Sequence, residues 1–185
     1  MPRLRYLFDN PDRFIAGTVG EPGNRTFFLQ ARDGTRIVSV ALEKVQVAAL
    51  ADRLGDLLEE LDGRGVDGAA EQPGIVGDTA SMDEPVNEAF RVGMLSLGWD
   101  TADNLVLLEA HEIADVDEEE HDEADEDDED GPDLLRVRIT PRYAREFIAR
   151  ALRLVASGRP PCPLCGLPLD PQGHLCPRRN GHLLN

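Results

Sequence analysis

The sequence predicts an α+β protein made of two tandem strand-strand-strand-helix units, which form a mainly antiparallel sheet with helices on one face, followed by a small C-terminal tail. Two observations lead to this prediction. The same order of apolar patterns occurs over residues 1–62 and again over residues 84–157, as expected for an internal repeat. All three cysteines then fall in the last two dozen residues of the 185-residue chain.

The first unit, residues 1–62, contains three strand patterns and one helix pattern. Strands are predicted at residues 14–17, 27–32 and 36–40, where short apolar runs or alternating apolar and polar residues occur. A helix is predicted where apolar residues recur at three- and four-residue spacing. These residues are Val47, Leu50, Leu54, Leu57, Leu58 and Leu61.

The second unit, residues 84–157, repeats this order. The first strand of each unit contains a Phe-x-x-Gly sequence, and this matches Gly93 with Gly17 of the first unit. Its helix is expected to have Thr140 as N-cap and Pro141 at the first position. The alternative is chance similarity, because the identity between the units is modest. The strands are predicted at residues 90–93, 106–111 and 135–139, and the apolar helix positions are Ala144, Phe147, Ile148, Ala151, Leu152 and Val155.

Two further segments separate these patterns. Residues 63–83, rich in Gly, Ala and acidic residues, are predicted to be a linker. The second unit carries an insertion at residues 114–133, and within it nearly every residue from 115 to 130 is Asp or Glu. Such a run buries little apolar surface and repels itself, so we expect a disordered loop. This run contributes most of the formal net charge of −17.

The tail, residues 158–185, has the composition of a metal site. A Cys-x-x-Cys-Gly turn directs two thiolates and several N–H groups to one point, which suits zinc. A third cysteine and one histidine would complete a structural tetrahedron in a zinc-ribbon-like module, with one zinc per chain. Either His174 or His182 could be the fourth ligand, and a redox dithiol is the alternative to a metal. The candidate ligands are Cys162, Cys165, His174, Cys176 and His182.

Composition limits the class of protein. No apolar run approaches the roughly 20 residues needed to span a bilayer, and the N-terminal sequence lacks the pattern of a secretory signal. An odd number of cysteines, all in one cluster, argues against a disulfide framework. We therefore expect a cytoplasmic protein with no membrane association.

The ending of the chain resembles that of a known family. The features that carry the resemblance are the paired Phe-x-x-Gly strands, the acidic insertion, and the sequence from Pro161 through Cys162 and Cys165 to Pro171, followed by Gly-His-Leu-Cys-Pro-Arg-Arg-Asn-Gly. They resemble an uncharacterised actinobacterial family of conserved hypothetical "repeat proteins" with a domain of unknown function. The resemblance covers nearly the whole chain. It implies that the cysteines and His174 act as one unit, and it implies no activity.

The charge of the last third suggests a second function. From residue 134 onward only Glu146 and Asp170 are acidic, against nine arginines. These arginines could form a surface for nucleic acid or another polyanion, with the acidic loop as an internal competitor. The favoured interpretation is the solvated face of an amphipathic helix, because no aromatic residues alternate with the arginines. The arginines that could form the surface are Arg138, Arg142, Arg145, Arg153, Arg159, Arg178 and Arg179.

No catalytic motif is present, so no catalytic or cofactor-binding residue is predicted. His111 and Glu112 could form an acid–base pair, but a solvent-facing histidine at a strand end is the favoured interpretation, and Glu109 is expected on a solvated face. The sequence therefore predicts a zinc-binding protein and favours a non-enzymatic binding or adaptor module with a protein partner over an enzyme. The alternatives are polyanion binding and an enzyme with a pocket between the two units.

Overall fold

The structure, a computed structural model, describes residues 3–113, 131–158, 162–165, 169 and 176. Most of the acidic insertion predicted at residues 114–133 therefore lies outside the described residues. The described part confirms the α+β fold class, with seven strands in a mostly antiparallel sheet and two helices. Residues 1–62 contain four strands, one more than predicted. In chain order the elements are β1 Arg5–Asp9, β2 Arg13–Val19, β3 Thr26–Asp33, β4 Arg36–Leu42, α1 Lys44–Gly63, β5 Glu88–Asp100, β6 Leu105–Glu112, β7 Leu134–Ile139 and α2 Pro141–Ala156.

All seven strands form one sheet in the order β1-β7-β6-β5-β4-β3-β2. Strands β2, β3 and β4 form one antiparallel meander, and β5, β6 and β7 form the other. The meanders are joined by parallel pairing of β4 with β5, and α1 makes the crossover between them. Parallel neighbours need such a long connection because the chain must return to the other end of the sheet before it enters the second strand, which a tight turn cannot do.

The sheet is curled, because its two outer strands are joined by a short link. Strands β1 and β2 lie at opposite ends of the strand order, yet only residues 10–12 separate them. A link of that length spans at most about 14 Å. A contact across the curl agrees with this geometry: Arg36, at the start of β4, donates to the Leu7 carbonyl at 3.1 Å, and its guanidinium lies 4.5 Å from the centre of the Phe8 ring.

Both helices pack on one face of the sheet and share a single hydrophobic core with it. Helix α1 buries Val47, Leu50, Leu54, Leu58 and Leu61, as the spacing predicts. Helix α2 begins as predicted, with Pro141 in its first turn and the Thr140 hydroxyl accepting the Tyr143 N–H at 3.2 Å. The apolar pattern of α2 is less accurate, because Leu152 is 47% exposed while Arg150 is buried.

One match between the two units has to be corrected. The sequence comparison matched Gly17 with Gly93. In the sheet, Gly17 pairs with Phe28, and Leu107, which occupies the place of Phe28 in the second unit, pairs with Gly98. Gly98 is therefore the counterpart of Gly17. The mismatch arises because β5 is longer than β2 and changes register near its middle.

The segment between α1 and β5 includes a strap, residues 69–83, that lies against α2 and β2. Arg150 on α2 donates to the carbonyls of Asp78 and Ala80, at 2.8 Å each. Arg13 on β2 pairs with Asp78 at 2.6 Å and with Asp83 at 2.8 Å. Gln30 on β3 also bonds both backbone groups of Asp83, at 2.9 and 2.8 Å. The strap is thus held by side chains and not by strand pairing.

Helix α2 also covers the outer edge of β2. The Phe14 N–H donates to the Tyr143 hydroxyl at 2.7 Å, and Arg150 Nε donates to the Ala16 carbonyl at 2.6 Å. These bonds satisfy backbone groups that an edge strand would otherwise offer to another chain.

Candidate metal centre and the open face of the sheet

The three cysteines converge although two of them are more than ten residues from the third. Cys162 and Cys165 lie at the ends of a short turn, and their sulfurs lie within 4.8 Å of each other and of the Cys176 sulfur. The Sγ atoms of Cys162 and Cys176 are 3.9 Å apart, and both residues are buried. Sulfurs bound to zinc at about 2.3 Å in a tetrahedron lie about 3.8 Å apart. A disulfide would require about 2.05 Å, so the spacing fits a shared metal ion.

The turn also stabilises the form of Cys162 that binds metal. The pKa of its thiol is lowered, chiefly by the backbone N–H of Cys165 and then by that of Leu164, whose nitrogen lies 3.4 Å from the sulfur. A thiolate and not a thiol is the metal ligand. The local backbone therefore favours the ligating state before any ion is bound.

Three sulfurs fill three corners of a tetrahedron and leave one for another ligand. The two predicted candidates for that corner, His174 and His182, lie outside the described residues. The structure thus brings together every predicted cysteine ligand, and the choice between the histidines stays a prediction.

On the face of the sheet opposite the helices, the structure overturns two expectations. Glu109 was expected on a solvated face and His111 was expected to face solvent, but their side chains are only 16% and 9% exposed. His111 Nε2 lies 3.5 Å from Glu109 Oε2, so its acidic neighbour is Glu109 and not Glu112. Arg136 Nε donates to Glu109 Oε1 at 2.5 Å, and the Ser96 hydroxyl donates to Glu109 Oε2 at 3.2 Å. The alternating pattern of β6 could not reveal these partners, because they lie on β5 and β7.

This environment sets the charges of the two side chains. Burial lowers the pKa of His111, the Glu109 carboxylate opposes that shift, and the Arg3 guanidinium adds to it. Burial raises the pKa of Glu109, but hydrogen bonding and attraction from Arg136 outweigh it, so the net pKa is lowered. Near pH 7 the pair therefore consists of a neutral imidazole and an ionised carboxylate.

The arginines proposed for a polyanion surface are mostly engaged within the protein. Arg145 donates two hydrogen bonds to the Ala69 carbonyl, at 2.9 and 2.6 Å, and Arg153 donates to the Asp78 carbonyl at 3.2 Å. Arg138 pairs with three aspartates. Among the described residues, Arg138 is thus paired with acidic groups, while Arg145 and Arg153 are held by strap carbonyls, which fix the side chains but carry no opposite charge. Three other members of the set, Arg159, Arg178 and Arg179, lie outside the described residues.

The fold and the cysteine cluster define an α+β domain of seven strands and two helices, with a C-terminal cluster that could hold a metal ion. A family model described as "Protein of unknown function (DUF3090)" matches residues 6–176. The chain therefore belongs to the DUF3090 family, and the matched range includes all three cysteines. Comparison with curated proteins and with solved structures found no match. Within the described part of the chain, no helix is long and apolar enough to cross a membrane.

Proposed function

We propose that this protein binds one structural zinc ion in its tail and acts as a cytoplasmic, non-enzymatic binding or adaptor module. The observation that carries the proposal is the convergence of three cysteine sulfurs, within 4.8 Å of one another, at a spacing that fits tetrahedral zinc. Three thiolates are soft ligands, which favour zinc over magnesium or calcium.

The chemistry of the donor set supports a structural site over a catalytic one. Three thiolates and one imidazole, from His174 or His182, would close the tetrahedron. A closed site has no position for a substrate or a reactive water. Its contribution is to the folding of the tail, because so short a segment buries too little surface to fold without its ion.

The proposal of a protein partner rests on an apolar side chain that the cysteine turn exposes. Leu164 lies between the two cysteines of the turn and is 51% exposed. A bound ion would hold this apolar side chain in one orientation, which lowers the entropy cost of binding a partner. We therefore propose a protein partner that contacts the zinc-bound turn, with neither nucleic acid nor a membrane required.

The test is metal analysis of the full chain purified without chelators, followed by cobalt substitution. We expect about one zinc per chain, and a thiolate-to-cobalt charge-transfer band after exchange. Cys162→Ser and Cys176→Ser should each abolish that band and release zinc, while the melting of the sheet domain stays unchanged.

The histidines supply the matched controls. If His174 is the fourth ligand, His174→Ala should lower zinc affinity about 10- to 100-fold and His182→Ala should have little effect, and the reverse ranking would assign His182. Purified protein without metal, and without cobalt binding when cobalt is supplied, would refute the proposed function.

A further inference from the structure

A concavity opens on the face of the sheet opposite the helices. It has a volume of about 260 Å³ and is lined by side chains of β1, β5, β6 and β7, together with Arg3. It therefore lies on the second unit and β1, and neither β2, β3 nor β4 contributes to its lining. The Glu109 and His111 pair described above forms part of its wall.

The concavity is positively charged, in contrast to the chain as a whole. Arg3, Arg5 and Arg136 all line it, and Glu109 is the one carboxylate among the lining residues that the structure describes. That carboxylate is already bonded to Arg136 and to the Ser96 hydroxyl. A chain with a formal charge of −17 has thus placed three guanidiniums around one small cavity. A metal cation would be repelled there, and an anion would be attracted.

An unsatisfied donor adds a second, independent observation. The Nε atom of Arg3 is buried and has no hydrogen-bond partner among the described residues. The guanidinium of Arg3 is therefore not engaged through Nε, and an oxyanion in the cavity would meet its terminal nitrogens, for which an oxyanion is the best-matched acceptor.

The rim of the concavity is apolar. Leu7 and Met94 both line it, and they are 47% and 56% exposed. Leu7 is on β1 and Met94 is on β5, with β7 and β6 between them, so the two side chains lie on opposite sides of the cavity. Met94 pairs with His111 in the sheet, and its exposed side chain would be stabilised if a hydrocarbon group covered it.

The geometry does not support acyl transfer at this cavity. Ser96 donates its hydroxyl hydrogen to Glu109 Oε2, and His111 Nε2 lies 3.5 Å from that same oxygen, so the serine is bonded to the carboxylate and not to the histidine. A serine nucleophile would need the histidine as its direct partner.

We infer that this concavity binds a small organic anion, whose carboxylate or phosphate is held by Arg3 with Arg5 and Arg136 nearby, and whose hydrocarbon part rests on Met94. Binding of this kind is independent of the zinc-bound tail. The site recognises its ligand without a chemical reaction, and the Glu109 and His111 pair in the wall stays intact.

The test is calorimetric titration of the full zinc-loaded chain with octanoate and, separately, with inorganic phosphate. We expect saturable binding of octanoate and weaker binding of phosphate, because only octanoate reaches the apolar rim. Arg3→Gln should weaken octanoate binding at least about tenfold, the loss expected for one charge-assisted hydrogen bond. Arg64→Gln, an exposed change of equal charge at the end of α1, should leave binding unchanged.

Two further measurements localise the site. Met94→Gln should weaken octanoate binding and leave phosphate binding unaltered, since it removes apolar surface only. NMR titration should show that bound octanoate raises the pKa of His111, because a new negative charge offsets the nearby guanidiniums. No saturable binding of either probe, or equal weakening by Arg3→Gln and Arg64→Gln, would overturn the inference. Equal affinity for the two probes would overturn the role of the apolar rim.

Discussion

Replacing Arg150 should show most clearly how burial, and not charge alone, determines what an arginine contributes to stability. It is 9% exposed and joins three parts of the molecule: it donates to the Ala16 carbonyl of β2 and to the Asp78 and Ala80 carbonyls of the strap. Arg150→Met keeps most of the volume of the side chain and removes all of these bonds.

The magnitude follows from what remains buried. Four hydrogen bonds from the guanidinium are lost, three to carbonyls and one to the Asp78 carboxylate at 3.2 Å. At about 1.5–3 kcal/mol for each charged bond the sum would exceed 6 kcal/mol. Water can reach part of the strap, so we expect a loss of about 3–5 kcal/mol in the free energy of unfolding, as for breaking a buried ion pair. For a chain of this size that lowers the melting temperature by roughly 6–20 °C.

Urea unfolding followed by circular dichroism measures this loss. The control is Arg153→Met, three residues further along α2, where the exposed side chain also reaches strap carbonyls. We expect the control to lose less than about 1 kcal/mol, because solvent replaces its bonds. If Arg150→Met also lost less than 1 kcal/mol, or if the two variants were equal, burial would not govern how the strap is held.

Three further predictions concern the strap, the sheet edge and pH. Gly77→Ala should cost about 1–3 kcal/mol more than Gly74→Ala in urea unfolding, because both glycines have positive φ but only at Gly77 would the new methyl clash with the Glu146 carbonyl oxygen of α2; equal losses would contradict this. Tyr143→Phe should lower the free energy of unfolding by about 1–3 kcal/mol, since it leaves the Phe14 N–H of the β2 edge without its acceptor, and a loss near zero would show that water replaces it. Burial lowers the pKa of His111 below its unfolded value of about 6.5, so its contribution to stability should be complete above pH 6.5 and decline as pH falls through the folded pKa. His111→Gln should flatten the urea midpoint between pH 7.5 and 5, and an unchanged slope would refute the shift.

The elements that sequence predicts well are those whose signal is local. Helix α1 repeats its apolar residues at helical spacing, and each predicted position is buried or partly buried, from Val47 to Leu61. Strand β1 was missed because it has only five residues and its apolar residues, Tyr6 to Phe8, are consecutive, so the sequence does not show the alternation that the burial has. Its pairing partner, β7, is about 130 residues away, so no neighbouring residue indicates it.

The candidate site shows the same difference between features with a local sequence signal and features that depend on distant residues. The Cys-x-x-Cys turn is a local signal, and the structure brings the predicted cysteines together. The burial of Arg150, by contrast, depends on strap carbonyls that no periodicity can reveal, and Leu152 was placed in the core for lack of that information. The charges at Glu109 depend likewise on Arg136, one strand away.

The pairing of β1 with β7 has a consequence for how the chain folds during synthesis. Arg5 pairs with Leu134, so the first strand has no strand partner in the sheet until 129 later residues have been made. At about 5–20 residues per second that interval is roughly 6–26 s. Pairing the two most distant strands costs loop-closure entropy before the stabilising contacts form, so we expect the final closure of the sheet to be slow. Until then the nascent chain exposes Phe8 to chaperones.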